Sequence, residues 1–371
     1  MKLRILLPAD MSTMYPRNPY VLQLMQALLQ DPMVELVAHG PIHLFHGNYD
    51  WDVVHIQWPD ALIGWKNERE ISVQDIDLAL SRIAPRALIV HTVHNHVPDE
   101  DSGELGAQLY ATVFRHTDVF VHLGKRSRDT FRLAHAGDDW AGRATHVVIP
   151  HGNYDFYKTF KPPEAGLPPS LLTKEKRLLV FGALRSADEE ALAREAFTSA
   201  NVMKSHLVFA GALSPQAFPA EVRKTFPNPD KRVTRLHKRI PDNLIAPLLE
   251  SCRAVFIPRS GRLNSGVVPL AFTFGVPVVA PDEGVIGEMS RKFGGMVYTP
   301  GDCSTAAAAI RKALSMQQDA RELLRERILN YSDTILAWPR IAAKHRELYI
   351  ANIAKKKGLP LYKRLKARFG L

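Results

Sequence analysis

The 371 residues are 46% hydrophobic and 23% charged, with a formal charge of +10 and a pI near 9.5. That length accommodates two domains with a core each, and no apolar run approaches the roughly 20 residues a membrane span needs. The basic excess calls for an anionic partner, but zinc-finger spacing, RNP-like aromatic strands and internal repeats are all missing, so a nucleic-acid module is not indicated. Cys252 and Cys303 form neither a disulfide framework nor a zinc pattern and read as structural. The opening Met1-Lys2-Leu3-Arg4-Ile5 carries too little apolar sequence for a signal peptide, so the chain is expected to stay in the cytoplasm.

From Lys2 to Pro150 short β-branched runs alternate with helical periodicity, the pattern of a parallel sheet covered on both faces. Strands are expected at Leu3–Leu7, Val34–Ala38, Val53–Gln57, Ala87–Thr92, Val119–His122 and Thr145–Ile149. Helices are expected near Pro19–Gln30, Val73–Ile83, Glu104–His116 and Lys125–Ala134. This predicts one Rossmann-like domain over residues 1–160. A proline-rich connector at 161–169 breaks the pattern and marks the boundary.

Strand ends on one side of this sheet carry Asp10, then Asn18 and Tyr20, then Trp58 and Asp60, then His91, His94, Asn95, His96, Asp99 and Glu100. Asn18-Pro19-Tyr20, with Asn95 and Trp58, reads as acceptor-contacting surface rather than a phosphate loop. The three histidines admit a metal set, buried strand-end histidines or a substrate contact. On an extended strand His94 and His96 would face one way and His91 the other, and no carboxylate or cysteine stands at ligand spacing. Asp50-Trp51-Asp52 has a metal-binding form, but Asp52 runs straight into an apolar strand and reads as a strand start. No metal is expected.

The alternation restarts at 177–182 and continues through Ser205–Ala210, Arg232–His237, Ala254–Pro258, Val276–Ala280 and Met296–Tyr298, a second Rossmann-like domain over 170–335. Helices are expected at Asn243–Ser251, capped by Asp242, and at Ser304–Met316, Asp319–Tyr331 and Ile341–Lys355. Between Pro258 and Val276 the order is strand, basic loop, apolar helix over Ser265–Phe274, closing Gly275. Ligands collect at carboxyl ends of parallel strands, and a helix start there offers N–H groups to an anion. Asn264 or Ser265 would cap the helix, Gly266 would admit a ligand to the backbone, and Arg259 and Arg262 would add charge suited to phosphate. Arg185, after the first strand of this half, reads either as a surface arginine or as a diphosphate clamp. The ligand implied is a phosphate or diphosphate.

The run Asn264-Ser265-Gly266, the apolar helix, Gly275-Val276-Pro277 and Gly284-Val285-Ile286-Gly287-Glu288 resembles the carboxyl-terminal domain of GT-B-fold nucleotide-sugar glycosyltransferases, among them retaining bacterial exopolysaccharide and lipid-linked saccharide enzymes. The resemblance implies two Rossmann-like doubly wound domains facing each other across a cleft, with the last helix crossing back so that 336–371 completes the first. It implies a UDP- or GDP-type nucleotide sugar as donor, a saccharide or polyprenyl-linked saccharide as acceptor, and no bound metal or other cofactor. By resemblance His94 reaches the donor sugar near the reacting carbon, Arg185 meets the diphosphate, backbone groups at Arg239 and Ile240 meet the base, and Ser265–Val267 lend N–H groups. Gly152 falls in the family's interdomain segment as a hinge or turn glycine. The paired glutamates of many retaining members are replaced here by Arg262 and Leu270, which leaves retention or inversion open.

Function therefore reads as transfer of a sugar from a nucleoside diphosphate sugar, with His94, Asp10, Asp60, Asp99 or Glu100 facing the acceptor. A nucleotide-sugar epimerase of the same fold and a non-catalytic basic scaffold for nucleic acid or membrane stand beside it. The tail adds Lys355, Lys356, Lys357, Lys363, Arg364, Lys366 and Arg368 without an acid, and Leu361, Leu365 and Phe369 recur at helical spacing. Such a segment fits reversible docking on the inner face of an anionic membrane.

Overall fold

The computed structural model describes residues 2–10, 18–45, 50–64, 70–98, 103–164, 167, 171, 176–214, 218, 230–236 and 238–358. Asp99, Glu100, His237 and tail residues 359–371 lie outside that set. The chain divides into two compact units, Met1–Gly152 with Ala337–Leu371, and Asn153–Leu336.

In the first unit, six parallel strands are ordered β2-β1-β3-β4-β5-β6: β1 (Leu3–Leu7), β2 (Val34–His39), β3 (Val53–Ile56), β4 (Leu88–Val93), β5 (Val119–His122) and β6 (Thr145–Val148). Every residue of β3, β4 and β5 is buried, because helices cover both faces of a parallel sheet. Ile76 and Leu80 of α3 (Val73–Ile83) and Val113 of α4 (Gly103–His116), with Leu62 of the 3-10 turn Pro59–Ile63, build one face with Val54 and Ile89. Tyr20, Leu24 and Leu28 of α1 (Tyr20–Leu29) join Ile341, Leu348 and Tyr349 on the other. A short helix α2 (Ile42–Phe45) follows β2; α5 (Lys125–Ala134) and α6 (Asp139–Arg143) follow β5. Ser72 starts α3 with a reciprocal cap, its hydroxyl accepting from the Asp75 N–H while Asp75 accepts from the Ser72 N–H.

The second unit orders its strands β12-β11-β10-β7-β8-β9, again all parallel: β7 (Lys176–Phe181), β8 (Ser205–Ala210), β9 (Val233–Leu236), β10 (Ala254–Phe256), β11 (Val278–Pro281) and β12 (Val297–Tyr298). Its helices are α7 (Ala187–Ala200), α8 (Asp242–Glu250), α9 (Val267–Thr273), α10 (Gly284–Lys292), α11 (Cys303–Leu314) and α12 (Gln318–Thr334). Cys303 opens α11. The division at Gly152 precedes the proline-rich stretch because the 3-10 turn Asp155–Thr159 packs into the second core through Tyr154 and Tyr157. The Tyr154 N–H also donates to Thr273 Oγ1 at 2.9 Å.

The last described helix, α13 (Trp338–Lys356), belongs to the first unit and lies against α1. Lys355 and Lys356 are part of this helix, so they are not free tail charges: Lys356 Nζ is 2.6 Å from Asp118 Oδ2. Gly152 shows why its position lacks a side chain: a Cβ there would stand 2.4 Å from the Trp338 indole. Its φ is not in the left-handed region, so tight packing and not a turn demands glycine. Gly152→Ala is expected to cost about 1–3 kcal/mol by overpacking, read by urea unfolding; parental stability would show that Trp338 shifts freely. No described helix is long and apolar enough to cross a membrane.

Candidate functional site

Strand order locates the candidate site in the second unit. β7 pairs with β8 on one side and β10 on the other, so successive connections leave in opposite directions and a crevice opens at the carboxyl ends of β7 and β10. The loops there are Gly182–Arg185 and Ile257–Gly266. Gly182, with φ +100°, turns the chain out of β7, and a Cβ on neighbouring Gly211 would strike the Gly182 carbonyl. Leu184 then continues the pairing, its N–H donating to Ala212 O at 3.1 Å.

Glu189, in the first turn of α7, ties the two loops together. Its carboxylate receives Arg259 Nε at 2.5 Å and Nη2 at 3.0 Å, and the Arg185 N–H at 3.0 Å. Arg259 Nη2 also donates to Ala183 O at 2.7 Å. The carboxylate is buried and its charge is met by Arg259, so Arg259 adds less net positive field than an unpaired arginine. What it offers is a guanidinium in fixed orientation, with no hydrogen bond at Nη1 among the described residues. Ser186 caps α7, accepting the Glu189 N–H at 3.2 Å. The Ser186-x-x-Glu189 spacing was the available sequence sign for Glu189, whose long-range partner it does not reveal.

The basic loop is braced from the turn between β11 and α10: Val285 N–H donates to Leu263 O at 2.8 Å and Arg262 N–H approaches Glu283 Oε1 at 3.4 Å. α9 begins at Val267, two residues later than expected, with Gly266 at its cap and Ser265 Oγ accepting from the Val267 N–H at 3.3 Å. The place a Cβ would take on Gly266 lies 2.7 Å from the Tyr154 hydroxyl, so that flank is used by Tyr154 and not by a ligand. Asn264 is half-buried. Leu270, where resemblance would put a glutamate, is core. Asp242 does not cap α8; it is the first helical residue, follows Pro241, and receives Arg239 Nη2 at 2.8 Å. The Ile240 side chain is buried in the core.

In the first unit the strand-end candidates form a buried polar chain. His55 Nε2 is 2.7 Å from Thr92 Oγ1, and His55 Nδ1 is 2.7 Å from the Tyr349 hydroxyl on α13. Gln57 Nε2 stands 3.1 Å from His55 Nε2, while Gln57 Oε1 stands 3.0 Å from His94 Nε2. A carboxamide donates through nitrogen and accepts through oxygen, so this arrangement puts a proton on His94 Nε2 and leaves His55 Nε2 as acceptor, with His55 Nδ1 donating to Tyr349. Burial, reinforced by neighbouring histidines, holds both imidazoles well below the usual histidine pKa. They are neutral.

His94 was expected on an open strand end; it is 7% exposed and stacked on Trp58 with ring centroids 4.0 Å apart. Tyr20 is not acceptor surface: it is fully buried in α1, edge-on to His94 at 5.1 Å and beside His151 at 4.5 Å. Trp58 is likewise buried beneath the imidazole. Asp60 is 1% exposed and accepts from the Tyr110 hydroxyl at 2.8 Å, a structural acceptor rather than a group open to an acceptor sugar. Asn18 Oδ1 accepts the Tyr20 N–H at 3.1 Å and so shapes the start of α1. Asp10 and Asn95 are half-buried. His91 points into the core, Nδ1 3.2 Å from Ile56 O, and His96 packs on Phe131. Asp52 accepts the Arg4 N–H at 3.0 Å. Among the described residues no three His, Cys, Asp or Glu side chains gather as a metal set. Gln57, His55 and Tyr349 were not singled out by sequence, since their relation exists only once β3, β4 and α13 are assembled.

No family model matches the chain. It is 23% identical over 347 residues to a GDP-mannose:glycolipid 4-beta-D-mannosyltransferase of Xanthomonas campestris pv. campestris, covering 91% of this chain and 89% of that protein. Among solved structures it is similar to Anabaena HepE in complex with UDP and glucose, with a TM-score of 0.66, 14% identity, and 93% and 99% of the two chains covered. Similar too is sucrose-phosphate synthase of Thermosynechococcus elongatus, with a TM-score of 0.63, 17% identity, and 94% and 98% covered. The fold is GT-B.

Proposed function

We propose that this chain is a glycosyltransferase, moving a sugar from a nucleoside diphosphate sugar to a saccharide or lipid-linked saccharide. The observation that carries the reading is the Glu189-held Arg259 at the strand-order reversal of the second sheet, beside Arg185 and Arg262. In the reaction the acceptor oxygen attacks the anomeric carbon, the bond to the diphosphate oxygen breaks with its electron pair, and the acceptor proton passes to a base. Arginine donors aimed at the departing diphosphate lower the barrier where charge develops. We assign that task to Arg185, Arg259, Arg262 and the N–H groups at Ser265–Val267, in place of a divalent ion, and recognition of the nucleobase to backbone groups near Arg239 and Ile240.

The acceptor half of the reading rests on the first unit. A neutral His94 with its proton on Nε2 suits a hydrogen-bonding role better than a cationic or proton-accepting one, and we assign the proton-accepting role to Asp10, a half-buried carboxylate that follows β1. The similarity to an enzyme named for GDP-mannose and glycolipid favours a GDP-type donor and a lipid-linked acceptor. Release of GDP or UDP from nucleotide hexoses by the full chain, dependent on added membrane lipid extract, is the test. Release without acceptor, or epimerised donor, would turn the reading toward an epimerase. His94→Gln keeps a donor toward Gln57 and should lower turnover at least about tenfold; undiminished turnover would remove His94 from the chemistry.

We further propose peripheral attachment at the cytoplasmic face of an anionic membrane through the basic segment after Gly358. Each lysine or arginine close to such a surface contributes about 1 kcal/mol, fading within a Debye length. Co-sedimentation with phosphatidylglycerol vesicles should fall with salt and with removal of residues 359–371. Equal binding by the shortened chain would exclude that segment as the anchor.

A further inference from the structure

Opposite the strand ends that carry the proposed chemistry, the first unit has a second recess. A cavity of about 310 Å³ opens where Leu88, Asp118 and Thr145 mark the amino ends of β4, β5 and β6, and the last turn of α13 closes it. Arg115, Arg143, Lys355 and Lys356 line it together with Trp140. The acidic groups nearby are engaged. Asp118 takes Lys356 Nζ at 2.6 Å and the Ile89 N–H at 2.8 Å, while Asp77 takes His116 at 2.7 Å and Arg115 at 3.5 Å. Among the described residues Arg143 and Lys355 have no carboxylate partner; Lys355 reaches only the Thr145 hydroxyl, at 3.4 Å. Positive charge therefore remains in the recess after internal pairing. Trp140 makes a fixed wall, its ring 5.3 Å from Phe114 and 5.4 Å from Phe120.

We propose that this cavity is a second anion site, distinct from the nucleotide site, and that it binds a small phosphate ester. The phosphate lies between Arg143 and Lys355, where a fork of guanidinium donors and an ammonium can both reach it. The carbon part of the ester lies against Trp140. A volume of this size holds a glycerol or sugar phosphate and falls at the small end of ligand pockets. The phosphate is carried either by a lipid headgroup, which would seat this end of the first unit on a membrane, or by a soluble ester.

Isothermal titration of the full chain with glycerol 1-phosphate and with inorganic phosphate should give saturable binding, tighter for the ester. The double replacement R143A/K355A, on exposed positions outside the proposed chemistry, should weaken both by at least about tenfold. Flotation with vesicles of phosphatidylglycerol in phosphatidylcholine separates the sources. With a headgroup as the ligand, R143A/K355A reduces capture and glycerol 1-phosphate competes; with a soluble ester, capture is the same for both proteins while solution affinity falls. Absence of saturable binding by the parent, or equal binding by the variant, overturns the site. Equal affinity for phosphate and the ester overturns the placing of the carbon part on Trp140.

Discussion

Arg259→Ala is expected to weaken binding of GDP or UDP by about 1.5–3 kcal/mol, the worth of a hydrogen bond to a charged group. It should also lower stability. Glu189 is buried, and Arg259 supplies two of its hydrogen bonds, so removing the guanidinium strands a carboxylate. Breaking a buried pair from one side costs about 3–5 kcal/mol, more than the pair's net worth, because the remaining charge is desolvated and unmet. With Arg259 25% exposed, the lower end applies here. The double variant Arg259→Ala with Glu189→Gln separates the two effects: most of the stability should return, since a neutral amide tolerates the site, while nucleotide affinity stays low. Titration calorimetry and urea unfolding on the three proteins decide it. Parental nucleotide affinity in a folded Arg259→Ala protein would remove the loop from the donor site and with it the proposed function.

A larger effect is expected in acid. Burial pushes His91, His151 and His345 down to about 4 from the ordinary 6.5, and His55 and His94 are depressed as well. The unfolded chain binds protons at these positions below pH 6.5 while the folded chain refuses them. Stability is therefore held above about pH 6.5 and falls as pH drops toward 4, by about 1.4 kcal/mol per pH unit for each such histidine. Three of them together give a slope of about 4 kcal/mol per unit, enough to unfold a domain of ordinary stability before pH 4. All three belong to the first unit, and the second unit contains only His206 and His237. Calorimetry at pH 8, 6.5 and 5.5 should show one transition moving steeply down. His345→Leu should flatten the slope by one histidine's share, since the His345 Nδ1 bonds only to Ile341 O of its own helix and Nε2 has no partner. A melting profile unchanged between pH 8 and 5 would show that the buried imidazoles accept protons in place.

The α/β class, the two sheets and most elements were legible because fully buried parallel strands leave apolar β-branched runs such as Leu88–Val93, and those runs are bounded by amphipathic helices. α7 escaped notice: its alanine- and glutamate-rich face has weak amphipathic contrast, although Ser186 and Glu189 announce its start. The arginine loop could be read as polar residues between two strands. Its rigidity could not, since Glu189 lies 70 residues before Arg259 and nothing local requires that they meet. The choice among the readings open for His94 was hidden for the same reason. Short-range pattern gives a strand end, but Trp58 and Gln57 from β3's exit, and Tyr20 from α1, close over it. Side-chain facing beyond the last ladder residue is set by tertiary partners, which a periodicity of two does not encode.

The use of α13 in the first unit has a consequence for synthesis. A ribosome delivers the first 152 residues, then the whole of Asn153–Leu336, and only afterwards the helix that supplies Ile341, Leu348 and Tyr349 to the first sheet. At 5–20 residues per second the nascent sheet waits roughly 10–40 s with one apolar face covered by α1 alone. The later unit, being continuous, can finish folding before the earlier one. Nascent chains arrested before Trp338 thus present a closed second unit and an amino-terminal half whose half-covered face, lacking Ile341, Leu348 and Tyr349, is a substrate for chaperones.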